Sequence, residues 1–402
     1  MRMKRKFGLV VLVVFAAVSL RLDARPAVTV QRRYVLPDAV KDGDLVRLSA
    51  DGQLLASGTG GGPVKLWDTR DGRLIAELKG TEGESPRAFS PVDDRLLISG
   101  SLNSFSLYDL KTLKLKSHVD LKHPLGSINF VEKFSPDGEL FLVDSVGKRK
   151  VTVWETATAR MISSRACGEP AFSSTFSPDS KTVLSSCGGR KATLWDAQSG
   201  NVIAEFSHDE SVLLAQFRDD AKTITTITSN GQVMNWDTSG NLKNSWTSQE
   251  SIYYAAFSPD GQVLGTVGWN GKVTLWDVGN QRERSFFRGS RNSTHINFSP
   301  DSKFVTSDGH AGEISVWRVA DGAAVLSIAE HKKDIRYVYF SPDNRLAVSS
   351  SKDAVNVWDL AGKTHVAKLN EATAMAFLSE DGKVLVTGGT KVSLILWDID
   401  SQ

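Results

Sequence analysis

Only two cysteines, seven histidines and five methionines occur among 402 residues. So few soft ligands exclude a cysteine-rich metal fold and a multiply stapled scaffold. The histidines, at 118, 123, 208, 295, 310, 331 and 365, show no metal-ligand spacing. His118 and His123 are expected to share a loop, with no cysteine or carboxylate cluster beside them. No Gly-x-Ser-x-Gly elbow is present. The glycine-rich run at 58–62 leads into Pro63 and a strand, so it reads as a tight hairpin and not as a phosphate cradle. Neither catalytic residues nor a cofactor or metal is expected. Surplus charge is missing too. Lys and Arg number 48 against 46 Asp and Glu, a net charge of +2, so nothing pulls the whole chain toward nucleic acid. Cys167 and Cys187 leave two readings open: one disulfide, or two small buried apolar side chains.

Long apolar runs are absent with one exception. Residues 7–20, FGLVVLVVFAAVSL, follow the basic stretch Met1-Arg2-Met3-Lys4-Arg5-Lys6. The run fits a signal-peptide core and is short for a span of about 20 residues. Residues 1–24 are therefore read as an export signal cut after Ala24, with an uncleaved membrane anchor as the alternative. Leu22 stands where a small residue is preferred at the cleavage site. No cysteine lies near the run, which argues against a lipidated amino terminus. The expected location is periplasmic or extracellular, and any membrane contact runs through this segment.

What the chain has in quantity is a repeated turn-and-strand unit. In residues 257–278, FSPDGQVLGTVGWNGKVTLWDV, Ser258-Pro259-Asp260-Gly261 is a turn and Asn270-Gly271 a hairpin signal. Val273, Leu275 and Trp276-Asp277 then form an alternating strand. The ending recurs at Trp67, Tyr108, Trp154, Trp195, Trp236, Trp276, Trp317, Trp358 and Trp397. Successive spacings are 41, 46, 41, 41, 40, 41, 41 and 39 residues. A Ser-Pro-Asp type of turn recurs with nearly every ending, about 18 residues upstream. Two marks on one period identify a repeat array. The longer spacing before Trp154 is assigned to extra loop residues at 118–131 and 146–150.

This pattern resembles the WD-repeat (WD40) β-propellers, here of an exported type, over residues 28–400. The resemblance implies an all-β fold, a single propeller of four-stranded antiparallel blades spanning residues 28–402. Nine blades are expected, with eight as the alternative. The ninth unit lacks an outer strand, and residues 28–36, VTVQRRYVL, are expected to supply it and close the ring. The family's Trp bonds a strand Ser, a loop His and a turn Asp. The matching residues are His331, Ser349, Asp353 and Trp358 in unit eight, although Asp353 sits one residue closer to its Trp than the pattern has it. Unit five offers His208, Ser229, Asn230 and Trp236, and most other units lack the His. All of these read as structural.

Function is then expected in the loops. The turns between inner and second strands are short and uniform, whereas those of the opposite face vary. Lys148, Arg149, Lys150, Arg190 and Lys191 should cluster there, with Arg165 nearby. Arg288, Arg291, Lys332 and Lys333 enter units seven and eight, and Trp269 interrupts loops otherwise built of small or polar residues. A large aromatic beside Arg and Lys suits an interface anchor; a solvated basic rim, with Trp269 folded onto its own unit, is the plainer reading. The expectation is a monomeric, non-catalytic scaffold for a protein or peptide. A propeller enzyme with a metal or substrate at the axial funnel is the alternative, and it requires carboxylates or histidines converging from several units.

Overall fold

The computed structural model describes residues 28–401, apart from 40–45, 50, 59–60, 93–94, 101–103, 121–132, 146–148, 168–172, 187–188, 219–220, 249, 289–295, 308–313, 329–330, 334, 371–372, 380 and 389–392. The described residues form nine four-stranded antiparallel sheets and no helix. In eight sheets the four strands follow one another in sequence. The ninth combines Thr373–Leu378, Val384–Gly388 and Leu394–Ser401 with Val28–Leu36, which pairs antiparallel to Leu394–Ser401 from Val28↔Ser401 to Leu36↔Leu394. Its edge strand therefore comes from the other end of the chain.

The sheets stack as the blades of a propeller because each has two apolar faces. Nine apolar clusters lie between consecutive sheets, and one of them joins the ninth sheet to the first: Leu36, Val46, Leu55 and Trp67 pack with Val386, Leu394 and Leu396. In each cluster the repeat aromatic packs against the preceding blade. The outer strand of that blade often supplies a partner ring: Phe206 on Trp236 at 5.5 Å, Trp246 on Trp276 at 4.9 Å, and Phe287 on Trp317 at 3.8 Å. Such ring pairs add roughly 0.5–1.5 kcal/mol beyond their area.

The recurrent turn works by local hydrogen bonding. Ser258 Oγ donates to Asp260 Oδ1 at 2.6 Å and accepts from Val263 N at 2.9 Å. The fourth turn residue adopts positive φ: +63° at Gly261, +68° at Gly52, and +61° at Ser302, which has no glycine's freedom. These turns also touch from blade to blade. Asp260 N donates to Ser302 Oγ at 3.0 Å, and Asp301 N to Asn344 Oδ1 at 3.2 Å. A Cβ at Gly52 would lie 2.7 Å from Ser379 Cβ, so the first and ninth turns meet only because residue 52 is glycine. This turn-side face is packed and uniform, and the other face carries the longer loops.

The loops assigned to the 46-residue spacing need one correction. His118 is in the outer strand Lys114–Asp120, opposite Ser106, and Lys150 opens the strand Lys150–Glu155. The alternation Val119-in, His118-out continues the strand further than the loop reading allowed. His123 and residues 121–131 lie outside the described residues.

Candidate functional site

Five of the repeat tryptophans settle their buried N–H groups on hydroxyls ten residues upstream, on the second strand, whereas Trp154 Nε1 donates to Thr152 Oγ1 of its own strand at 2.8 Å. Trp67 Nε1 donates to Ser57 Oγ at 3.0 Å, Trp195 to Ser185 at 3.2 Å, Trp236 to Thr226 at 2.8 Å, Trp276 to Thr266 at 3.0 Å and Trp397 to Thr387 at 2.8 Å. The set expected in unit five is thereby corrected. Ser229 lies beyond the second strand Thr223–Thr228 and cannot face Trp236, and Asn230 accepts from Thr228 at 2.6 Å instead. His208 stacks near Trp236, with ring centroids 5.5 Å apart, and burial holds its imidazole below the usual pKa.

In unit eight the four residues form one network. His331 is buried, with Nε2 2.8 Å from Ser349 Oγ, which also accepts from Trp358 Nε1 at 3.2 Å. Asp353 is too far for a direct bond, at 3.8 Å from His331 Nδ1. It is reached through Ser351, whose Oγ lies 2.8 Å from His331 Nδ1 and donates to Asp353. The one-residue offset of Asp353 is thus bridged by a second serine. Replacing Ser349 with Ala strands Trp358 Nε1, while His331 Nε2 keeps its 3.0 Å contact with Asn356 Nδ2. The expected cost is about 1–3 kcal/mol, read by urea unfolding; a loss below about 0.5 kcal/mol would make the network decorative.

The basic residues of the third and fourth blades are divided by their partners. Arg149 has φ +50° in the turn before Lys150–Glu155, and its carbonyl accepts Cys167 N at 2.6 Å. Lys191 Nζ lies 2.9 Å and Arg165 3.9 Å from Glu205, so these two cations share one carboxylate. Arg190 is exposed and Lys150 half-buried. Lys148 and Arg291 lie outside the described residues. Arg288 ends its outer strand opposite Lys272, and Lys332 donates its backbone N–H to Asp353 at 2.9 Å. Lys333 is exposed beside it.

Cys167 is buried and disulfide-bonded, so the reading as an unlinked apolar side chain fails there. It packs with Trp195 across the interface of the third and fourth blades, where other outer strands place a large ring. Cys187, the remaining cysteine, lies outside the described residues.

Trp269 stands apart from the other tryptophans. It is 73% exposed on the loop between Val263–Gly268 and Lys272–Asp277. Its ring meets Tyr253 edge-on, with centroids 4.8 Å apart and planes at 78°. Tyr253 faces outward because the inner strand bulges between Ile252 and Tyr254, and such bulges re-aim a side chain. Glu250, Ser251 and Asn270 complete a shallow hollow with Trp269. Lys272 Nζ sits 2.9 Å from Glu250 Oε1 and 4.8 Å from the centre of the Phe286 ring, which is also exposed. Trp269 therefore touches its own blade yet leaves most of its surface open to solvent. The sequence singled out Trp269 but not Tyr253, whose exposure depends on the bulge.

The innermost strands carry a mixed set just before each turn, including Arg47, Lys133, Gln216, Asn297, Tyr339 and Phe377. Asn297 Nδ2 donates to Val338 O at 3.4 Å, and Tyr339 and Phe377 have centroids 6.4 Å apart, so these side chains reach the next blade. Among the described residues no three His, Cys, Asp or Glu side chains converge to hold a metal.

Residues 240–277 and 322–359 match the family described as WD domain, G-beta repeat. Each match runs from an outer strand through the next three strands to a Trp-Asp. A solved structure of the computationally designed Ika8 protein is similar over 80% of this chain and 98% of its own, at 19% identity and a TM-score of 0.60, a likeness of fold. No curated protein matches the chain.

Proposed function

We propose that the chain is a WD-repeat propeller throughout and serves as a non-catalytic platform outside the cytoplasm, holding a protein or peptide on its loop-rich face. The observation that carries this reading is the exposed Trp269–Tyr253 corner. Two exposed aromatic rings held together on a rigid frame suit an interface anchor, and such rings dominate interface energetics. The two WD-repeat matches add a family whose members bind proteins. The apolar run at residues 7–20 and the disulfide at Cys167 support export, since disulfides persist in oxidising compartments.

The test is capture of partners from the exported fraction by wild-type protein and by the W269A/Y253A variant. Partner recovery should fall at least tenfold in the variant, while thermal unfolding stays unchanged because both side chains are exposed. An identical set of captured proteins in both samples would remove this corner from the reading.

A further inference from the structure

The exposed large apolar side chains are divided between the two faces. In the outer strands of the first five blades, the residue opposite the repeat aromatic is Leu74, Leu115, Met161, Val202 and Leu242, each 38–47% exposed. The equivalent residues of the other four blades are Glu283, Ala324, His365 and Arg32. Val92 at 58% and Leu113 at 38% lie on turns of the same face in the second blade. Among the described residues of the sixth to eighth blades, the exposed large apolar side chains, such as Trp269 and Phe286, lie away from these turns, and in the ninth Tyr34, 38% exposed, packs on Gly72 of a first-blade turn. One arc of the turn-side rim is thus apolar and the remaining arc is not.

We propose that this turn-side rim of the first five blades docks on an anionic lipid bilayer. Three observations select that occupant. First, the arc is a set of single side chains spread along a rim, one from each of five blades, which suits a deformable planar surface better than a folded partner. Second, cations alternate with it: Lys114 and Lys116 flank Leu115, Arg160 precedes Met161, and all three are exposed. The carboxylates of the same turns accept from backbone amides, Asp109 from Lys111 N and Asp237 from Ser239 N, both at 2.9 Å. Long cationic side chains beside apolar ones match anionic headgroups above acyl chains. Third, the chain enters the propeller on this face. Val28 pairs with Ser401, beyond the turn-side end of the ninth blade, and Tyr34 of the same strand packs on Gly72 of the first blade. Seven residues separate Val28 from the apolar run ending at Leu20. They span at most about 25–30 Å, so a run retained in the bilayer holds this face against it.

The experiment is flotation of the purified full-length chain with phosphatidylglycerol–phosphatidylcholine vesicles and with pure phosphatidylcholine vesicles. Wild-type protein should float with the anionic vesicles. L115E/M161E should lose at least tenfold in partition, and K114E/K116E, which alters only exposed side chains, should lose a comparable amount. A324E, the matching rim position of the seventh blade, should behave as wild type. Thermal melts of all variants check the fold. No flotation of the wild type would overturn the proposal. So would equal flotation of all four proteins, which would assign the contact to residues 1–27. Capture through Trp269 uses the opposite face, so either proposal can fail without the other.

Discussion

Deleting residues 28–36 will destabilise the whole propeller and not merely one blade. Leu36 is 1% exposed between the ninth and first blades, and Val28 and Val30 pack against the cluster between the eighth and ninth. Burial of one leucine contributes roughly 1.5–3 kcal/mol, so loss of the strand should cost at least about 3 kcal/mol. Two further contacts go with it. Arg33 pairs with Asp398 and donates to Thr69 O at 3.0 Å, tying the ninth blade to the first. The deletion also leaves Leu394–Ser401 as a bare edge, which invites pairing between molecules. Urea unfolding and light scattering should show an earlier transition and association. An unaltered transition would mean that the ring is held shut elsewhere.

Replacing Asp144 with Asn will stabilise the protein above neutral pH. Asp144 is fully buried in the cleft between the third and fourth blades, and neither carboxylate oxygen has a hydrogen-bond partner. Burial pushes its pKa from 3.8 up to about 7, against the opposing pull of the Ser174 hydroxyl and the Lys133 amine. Lys133 reaches solvent, yet the surrounding strands push its own pKa down. Because the folded-state pKa is raised, the fold prefers the protonated acid. Stability is therefore fully present below about pH 4 and is lost as pH rises toward 7. A shift of three units corresponds to as much as about 4 kcal/mol. Asn cannot ionise, so D144N should match wild type near pH 4, exceed it by a few kcal/mol at pH 8, and flatten the profile between. Parallel profiles for the two proteins would show that Asp144 is solvated in the folded state.

The fold was legible because its marks are local. A Ser-Pro-Asp-Gly turn encodes its own hydrogen bonds, and Trp-Asp ends a strand of fixed alternation, so the period survives variation between the marks. The closing strand at 28–36 was legible from β-favouring residues and an unfilled edge. What escaped depends on geometry across strands. The hydroxyl that serves most of these tryptophans lies nine or ten residues away and is visible only once the second and third strands are in register. Ser229 was chosen by proximity in sequence and falls beyond the strand end. Asp144 reads in sequence as an ordinary loop-proximal carboxylate, although it shares the inward face of Leu140 and Leu142. Tyr253 escaped because a bulge, which alternation cannot foresee, turns it outward.

Eight of the sheets can form as soon as their own residues have been made, but the ninth unites residue 28 with residue 401. Among the described residues, the earliest strand must wait for the last one. Loop closure of that length is slow relative to local hairpins. A chain emerging vectorially from a ribosome or a translocation pore thus remains an open crescent with two unsatisfied ends. It becomes a closed, fully cooperative body only after release.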